Sequence, residues 1–145
     1  MTTIAVRYGV MAADSMLNRG GSAGGSISKI ERMPDGCIIG STGRCGDSAA
    51  FRQWWRSSGA PEQPPKLDDG FMAIILRPSG AVDFCDSGCV PYRVDADFHA
   101  IGSGWEFAMG AMAMGASAEA AVRVACQFDQ ASAEPIYLEG PLDHA

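Results

Sequence analysis

The chain has 145 residues, a length that suits one domain with a core large enough to need no disulfide or metal staples. Hydrophobic residues make up 47% and charged residues 19%, which excludes an intrinsically disordered chain. The 17 acidic against 11 basic residues give a net charge of −6. With no run of Lys or Arg, that balance excludes nucleic acid and anionic membranes as general partners.

The first element reads as a strand, with Ile4, Val6 and Tyr8 on one face and Ala5 and Arg7 on the other. Gly9 supplies a tight turn. Val10 to Ala13 is apolar throughout, as in a strand buried on both faces, and Asp14 ends it. Asn18 to Gly25 is a flexible loop by composition; it lacks the Gly-Lys-Ser/Thr ending and following helix of a phosphate-binding loop. Ser26 to Arg32 reads as a strand with Ile27 and Lys29 facing one way. Pro34-Asp35-Gly36 is a turn, and Cys37 to Gly43 is a buried strand closing a hairpin.

A helix is expected from about Asp47 to Arg56, with Ala50, Phe51, Trp54 and Trp55 on its apolar side. Pro61, Pro64 and Pro65 make residues 57–65 a connector. Phe71 to Leu76 and Ala81 to Phe84 form a hairpin about Arg77-Pro78-Ser79-Gly80, and short strands continue to Ile101. Gly102-Ser103-Gly104 breaks the chain before a helix from Trp105 to Met114, which is apolar all round and so expected to be buried on several sides. Ser117 is an N-cap for a further helix, whose apolar face is Ala121, Val124, Ala125 and Phe128. Pro135 to Glu139 is the last strand. Strands, helix, strands, two helices and a strand do not alternate as in a parallel α/β fold, so the class is α+β with antiparallel sheets.

Cys37, Cys45, Cys85, Cys89 and Cys126 are odd in number, and no apolar signal segment precedes them, so a reduced, cytoplasmic setting is expected. Cys85 and Cys89, with His99 and His144, do not make up a four-ligand zinc set. Most of these thiols read as small buried hydrophobes, and neither a metal nor a cofactor is expected. There is no Gly-x-Ser-x-Gly elbow and no His-Glu-x-x-His, so hydrolysis by a histidine triad or by zinc is excluded. The N-terminus offers another route. Removal of Met1 is expected before a residue as small as Thr2. Thr2 would then carry a hydroxyl and a free α-amine together, and an amine titrating near 7.7–8.0 can serve as base near neutrality.

The opening Thr-Thr-Ile-Ala-Val-Arg, Ala-Ala-Asp ending at Asp14 and Ile-Ser-Lys-Ile-Glu-Arg around Lys29 resemble the proteasome β-subunits, above all their bacterial relative HslV. Ile39-Gly40-Ser41-Thr42-Gly43, Ala100-Ile101-Gly102-Ser103-Gly104 and Asp129-Gln130-Ala131-Ser132 resemble later family segments in the same order, so the resemblance spans nearly the whole chain. It implies a four-layer αββα sandwich and a threonine peptidase of the N-terminal-nucleophile type. Thr2 would be the nucleophile, with its own amine as base. Lys29 would lower the hydroxyl pKa, Asp14 would hold Lys29, and the Gly43 amide would stabilise the oxyanion. Ser103, Asp129 and Ser132 would orient the amine. Ser41 and Cys45 would flank the substrate pocket with Asn18 and Arg44, and Arg44 would favour acidic side chains.

The resemblance further implies peptide or unfolded-protein substrates, a homo-oligomer of stacked rings and an AAA+ unfoldase as partner. The sequence departs from the family at Arg44 and Ala133, where glycines are usual, in a first hairpin shortened at Gly9, and in the Pro-rich connector, which stands where a second long helix is usual. An amidase acting on small molecules and a non-catalytic assembly subunit of the same fold remain alternatives. Asp14 with Lys29 also reads as an ordinary surface pair, and Gly43 and Gly102 as plain turn glycines.

Overall fold

In the computed structural model, residues 2–20, 22–57 and 63–141 are described. Met1, Gly21 of the expected loop, Pro61 with the rest of 58–62, and His144 with the rest of 142–145 lie outside them.

The alternating opening folds as a hairpin, β1 (Thr3–Arg7) against β2 (Val10–Ala13), with Arg7 opposite Val10. Two residues remain for the turn. Tyr8 and Gly9 both take positive φ, 54° and 73°, the geometry whose twist matches a two-residue hairpin. Tyr8 therefore leaves the strand and is exposed, rather than extending the Ile4–Val6 face as expected.

The stretch expected as a flexible loop is also a hairpin: β3 (Met16–Arg19) pairs with β4 (Ser22–Ser26). β4 is exposed along its whole length, so backbone pairing rather than burial holds it, and a hydrophobic pattern could not reveal it. The strand expected over Ser26 to Arg32 is shorter, β5 (Ile30–Arg32). Ile27 to Lys29 lie outside the ladder, where the Ile27 amide donates to the Ser15 carbonyl and the Lys29 carbonyl accepts from the Ser41 amide. The turn at Pro34-Asp35-Gly36 is as expected, and the Asp35 carboxylate accepts from the Cys37 amide at 2.9 Å.

β5, β6 (Ile38–Thr42), β7 (Met72–Leu76), β8 (Val82–Asp86) and β9 (Tyr92–Arg93) form a five-stranded antiparallel sheet in that order. β10 (Phe98–Gly102), β1, β2 and β11 (Tyr137–Glu139) form a four-stranded antiparallel sheet. The two sheets meet through Ile4, Val6, Met11, Ile38, Ile74 and Leu76, all buried. Helix α1 (Cys45–Arg56) covers the outer face of the larger sheet, where Phe51 stacks on Phe71 with ring centroids 5.1 Å apart. Helices α2 (Trp105–Ala113) and α3 (Ala118–Phe128) cover the smaller sheet, and the small Ala5, Ala12 and Ala100 let Ala108, Met112, Ala121 and Val122 approach closely. The layers run α2/α3, sheet, sheet, α1: the expected αββα sandwich.

Two helix faces differ from expectation. Of α2, only Ala108 and Met112 are buried, while Trp105, Phe107 and Met114 just beyond it are exposed. On α3 the buried face is Ala118, Ala121, Val122 and Ala125; Val124 is half-buried and Phe128 is exposed. The Ser117 hydroxyl caps α3 by accepting from the Ala120 amide at 3.1 Å. All five cysteines are free: Cys37, Cys85 and Cys89 are buried, Cys126 is half-buried and Cys45 is exposed.

Candidate active site

The end of the β1–β2 hairpin places the start of the chain beside Asp14. The Asp14 amide donates to the Thr3 carbonyl at 3.0 Å, and the Thr3 amide donates back to Asp14 Oδ1 at 2.9 Å. Asp14 is fully buried and also accepts from the amides of Met16 (3.1 Å) and Ala133 (3.2 Å). Lys29 Nζ completes the set, 3.0 and 3.1 Å from the two carboxylate oxygens, with the lysine only 9% exposed. The reading of Asp14 and Lys29 as a surface pair is therefore corrected. They form a buried, fully hydrogen-bonded ion pair, the one form in which a buried charge is tolerated well.

On the other side of Thr2, its nitrogen donates to Ser103 Oγ at 3.2 Å. Ser103 Oγ donates to Asp129 Oδ2 at 2.7 Å, and Ser132 Oγ donates to the same oxygen at 2.6 Å. Thr3 Oγ1 lies 2.7 Å from Ser132 Oγ, extending the network under the strand. Burial alone would push the Asp129 carboxyl up; the hydrogen bonds from Ser132, Ser103 and the Ala131 amide outweigh it and hold the group below the usual carboxylate range. Gly104, which opens α2, has to be small here. A β-carbon on it would strike Thr3 Oγ1 and come within 3.2 Å of Asp129 Oδ2.

Gly43 follows β6 at φ +122°, and a β-carbon there would sit 3.2 Å from Phe71 Cα, so the bend is one that only glycine makes without strain. Beside it opens a cavity of about 150 Å³. Thr2, Lys29, Ser41 and Gly43 line it together with Met16, Asn18, Ile27 and Ser28 from in and just after the β3–β4 pair. Arg44, Cys45, Ser48 and Arg52 from the N-cap and body of α1 complete its lining. Every residue expected at the pocket therefore lines it. Of the remaining expected residues, Asp14, Ser103 and Ser132 are joined to Thr2 or Thr3 by hydrogen bonds, and Asp129 is joined to Ser103 and Ser132.

Sequence reasoning missed Ser48 and Arg52, although a signal was present. They follow Cys45 by three and seven positions, so the three share one helix face. It also missed the Thr3 hydroxyl, which in a buried strand has no pattern of its own. Among the described residues no group of three or more His, Cys, Asp or Glu is placed to hold a metal ion, and no helix is long and apolar enough to cross a membrane.

Solved structures share this fold. A chain of Thiobacillus denitrificans BPH in complex with epoxomicin has a TM-score of 0.68 at 21% identity, covering 99% of each chain. A second Thiobacillus denitrificans BPH structure has a TM-score of 0.63 at 21% identity over 95% of each chain. Eukaryotic HslV from Trypanosoma brucei has a TM-score of 0.72 at 21% identity, over 95% of this chain and 97% of that one. No family model and no curated protein matches the chain. The fold is thus that of HslV and its relatives.

Proposed function

We propose that the protein is a threonine peptidase whose nucleophile is Thr2, set free by removal of Met1. The observation that carries this reading is the Thr2 nitrogen held by Ser103, itself bonded to Asp129, while the same residue borders a cavity shared with Lys29 and Gly43. The fold shared with HslV supports the choice of chemistry.

In the proposed reaction, Thr2 Oγ1 bonds to the carbonyl carbon of the peptide as its proton passes to the α-amine. The Lys29 ammonium favours the developing alkoxide as a nearby opposite charge, and the Gly43 amide holds the oxyanion, a contribution on the order of 3 kcal/mol per donor. The tetrahedral species collapses with loss of the C–N bond, and the leaving amine takes the proton from the α-ammonium. Water then attacks the Thr2 ester with the amine as base, releasing the acid and restoring the hydroxyl. Because the amine must be neutral to begin, kcat/KM is expected to rise with pH and level off above about 8.

Peptides or unfolded chains are the proposed substrates, and the proposed working form is a homo-oligomer in the cytoplasm. Stacked rings fed by an AAA+ unfoldase are the assembly that the likeness to HslV suggests. The deciding experiment is intact-mass spectrometry before and after treatment with an epoxyketone, the class of epoxomicin, which the Thiobacillus denitrificans neighbour holds. We expect a species lacking Met1 that gains one inhibitor mass, and no gain in Thr2→Ala. A mass retaining Met1 with no adduct would sink the reading.

A further inference from the structure

We infer that the cavity beside Thr2 selects substrates with an acidic side chain, glutamate or aspartate, on the residue whose carbonyl is attacked. Arg52 is the cation that recognises the carboxylate, and Ser41 is a second donor. The inference rests on Thr2 being the nucleophile. The side chain of the attacked residue branches from the carbon next to the carbonyl carbon, so it enters the cavity that the nucleophile itself borders, and Thr2 lines this one.

The charges of that cavity point one way. The molecule carries a net charge of −6, yet the ionisable side chains lining the cavity include Lys29, Arg44 and Arg52, and among the described residues no carboxylate. Lys29 is matched by Asp14 and the exposed Arg44 stands 3.6 Å from Asp68. Arg52 differs from both. It is only 14% exposed, and its Nη1 lies 3.7 Å from Glu31 Oε1, beyond hydrogen-bond distance, while Arg56 makes the close contact with Glu31 Oε2. Two guanidiniums thus share one carboxylate, leaving one positive charge in excess at the cavity end.

Ser41 adds an independent observation. It is 3% exposed, lines the same cavity, and its buried hydroxyl has no hydrogen-bond partner among the described residues. A buried polar group without a partner is unfavourable, and an entering acceptor relieves it. Ser48 lies between Cys45 and Arg52 on the same helix face, so this wall offers polar atoms rather than an apolar floor. Met16 and Ile27, which line the same cavity, can pack the methylenes of a glutamate. An apolar side chain in the same place would strip water from Arg52, leave the Ser41 hydroxyl unpartnered and return no acceptor.

The test uses three peptide epoxyketones that differ only in the residue bearing the epoxyketone: glutamate, glutamine or leucine. Adduct formation on protein lacking Met1 is timed by intact mass. The glutamate probe is expected to react about tenfold or more faster than either neutral probe, the discrimination of a site built to bond its ligand. Arg52→Gln should bring the glutamate-to-glutamine ratio to about one, and Arg52→Lys, which keeps the charge but loses the fork, should retain part of it. Leucine or glutamine matching glutamate on the unsubstituted protein would overturn the inference while leaving Thr2 as nucleophile. That comparison needs no variant to fold. Failure of all three probes to form an adduct would overturn both readings together.

Discussion

At the scale of single residues, Asp14 and Lys29 carry most of the weight of the site. Both are buried and bonded to each other, and Asp14 also accepts from the backbone amides of Thr3, Met16 and Ala133, drawn from segments far apart in the chain. Replacing Lys29 with Met leaves the Asp14 carboxylate buried without its cation. Urea denaturation is expected to show a loss of about 3–5 kcal/mol, together with loss of peptidase activity. Adding Asp14→Asn should recover part of that loss, with a coupling energy of about 0.5–3 kcal/mol in the double-mutant cycle. Additive losses would mean that the pair is not coupled as its geometry requires. Both residues were legible in the sequence as candidates through the resemblance carried by Ala-Ala-Asp and Ile-Ser-Lys-Ile-Glu-Arg. Their burial was not, since it depends on Ala133 arriving from the far end of the chain.

At the scale of elements, two features decide local stability. The Ser117 hydroxyl satisfies an otherwise orphaned amide at the start of α3, so Ser117→Ala should lower thermal stability by about 1 kcal/mol without altering the labelling of Thr2. β8 and β9 are stitched by Asp83, whose carboxylate accepts from Arg77 Nε at 2.8 Å and Arg93 Nε at 2.5 Å. Burial pushes the Asp83 carboxyl up, but these guanidiniums outweigh it and hold it below its ordinary value. A depressed folded pKa stabilises above the unfolded value of about 3.9, and that contribution disappears as pH falls through the folded pKa. Asp83→Asn should therefore be less stable than the parent near pH 7, by about 1 kcal/mol given the half-exposed arginines, and the gap should close below about pH 4. A gap independent of pH would assign the effect to packing instead.

Period-two and helical patterns revealed these strands and helices where one face is buried. They failed at β4, which is exposed and pairs only through its backbone, and at residues 27–29, where tertiary hydrogen bonds replace the ladder. Tyr8 misled for a related reason: a two-residue turn needs positive φ whichever side chain occupies it.

At the scale of the whole molecule, the surface of α2 and α3 is the outstanding feature. Trp105 is 46% exposed, Phe128 63% and Met114 89%, and Phe107 stacks on Phe128 with centroids 5.7 Å apart. A helix pair this apolar on its outer side calls for a cover, and a second copy of the chain is the one consistent with the proposed homo-oligomer. Light scattering should find a multiple of the 15.2 kDa chain mass, and Met114→Glu combined with Phe128→Glu should shift it toward the monomer. A monomeric parent protein would remove the oligomer from the proposal.

Composition and periodicity were enough for an α+β class with antiparallel sheets and for the strand and helix order outside β3 and β4, and the resemblance carried by the ordered short motifs implied the αββα layering and the candidate residues around Thr2. Those properties are local or cumulative, so they survive in one dimension. Tertiary structure alone decided that Asp14 and Lys29 are buried, that Ser103, Asp129 and Ser132 form one network, and that Ser41 and Arg52 share a cavity. Each of these depends on distances between residues many positions apart, which packing sets and no window of sequence contains.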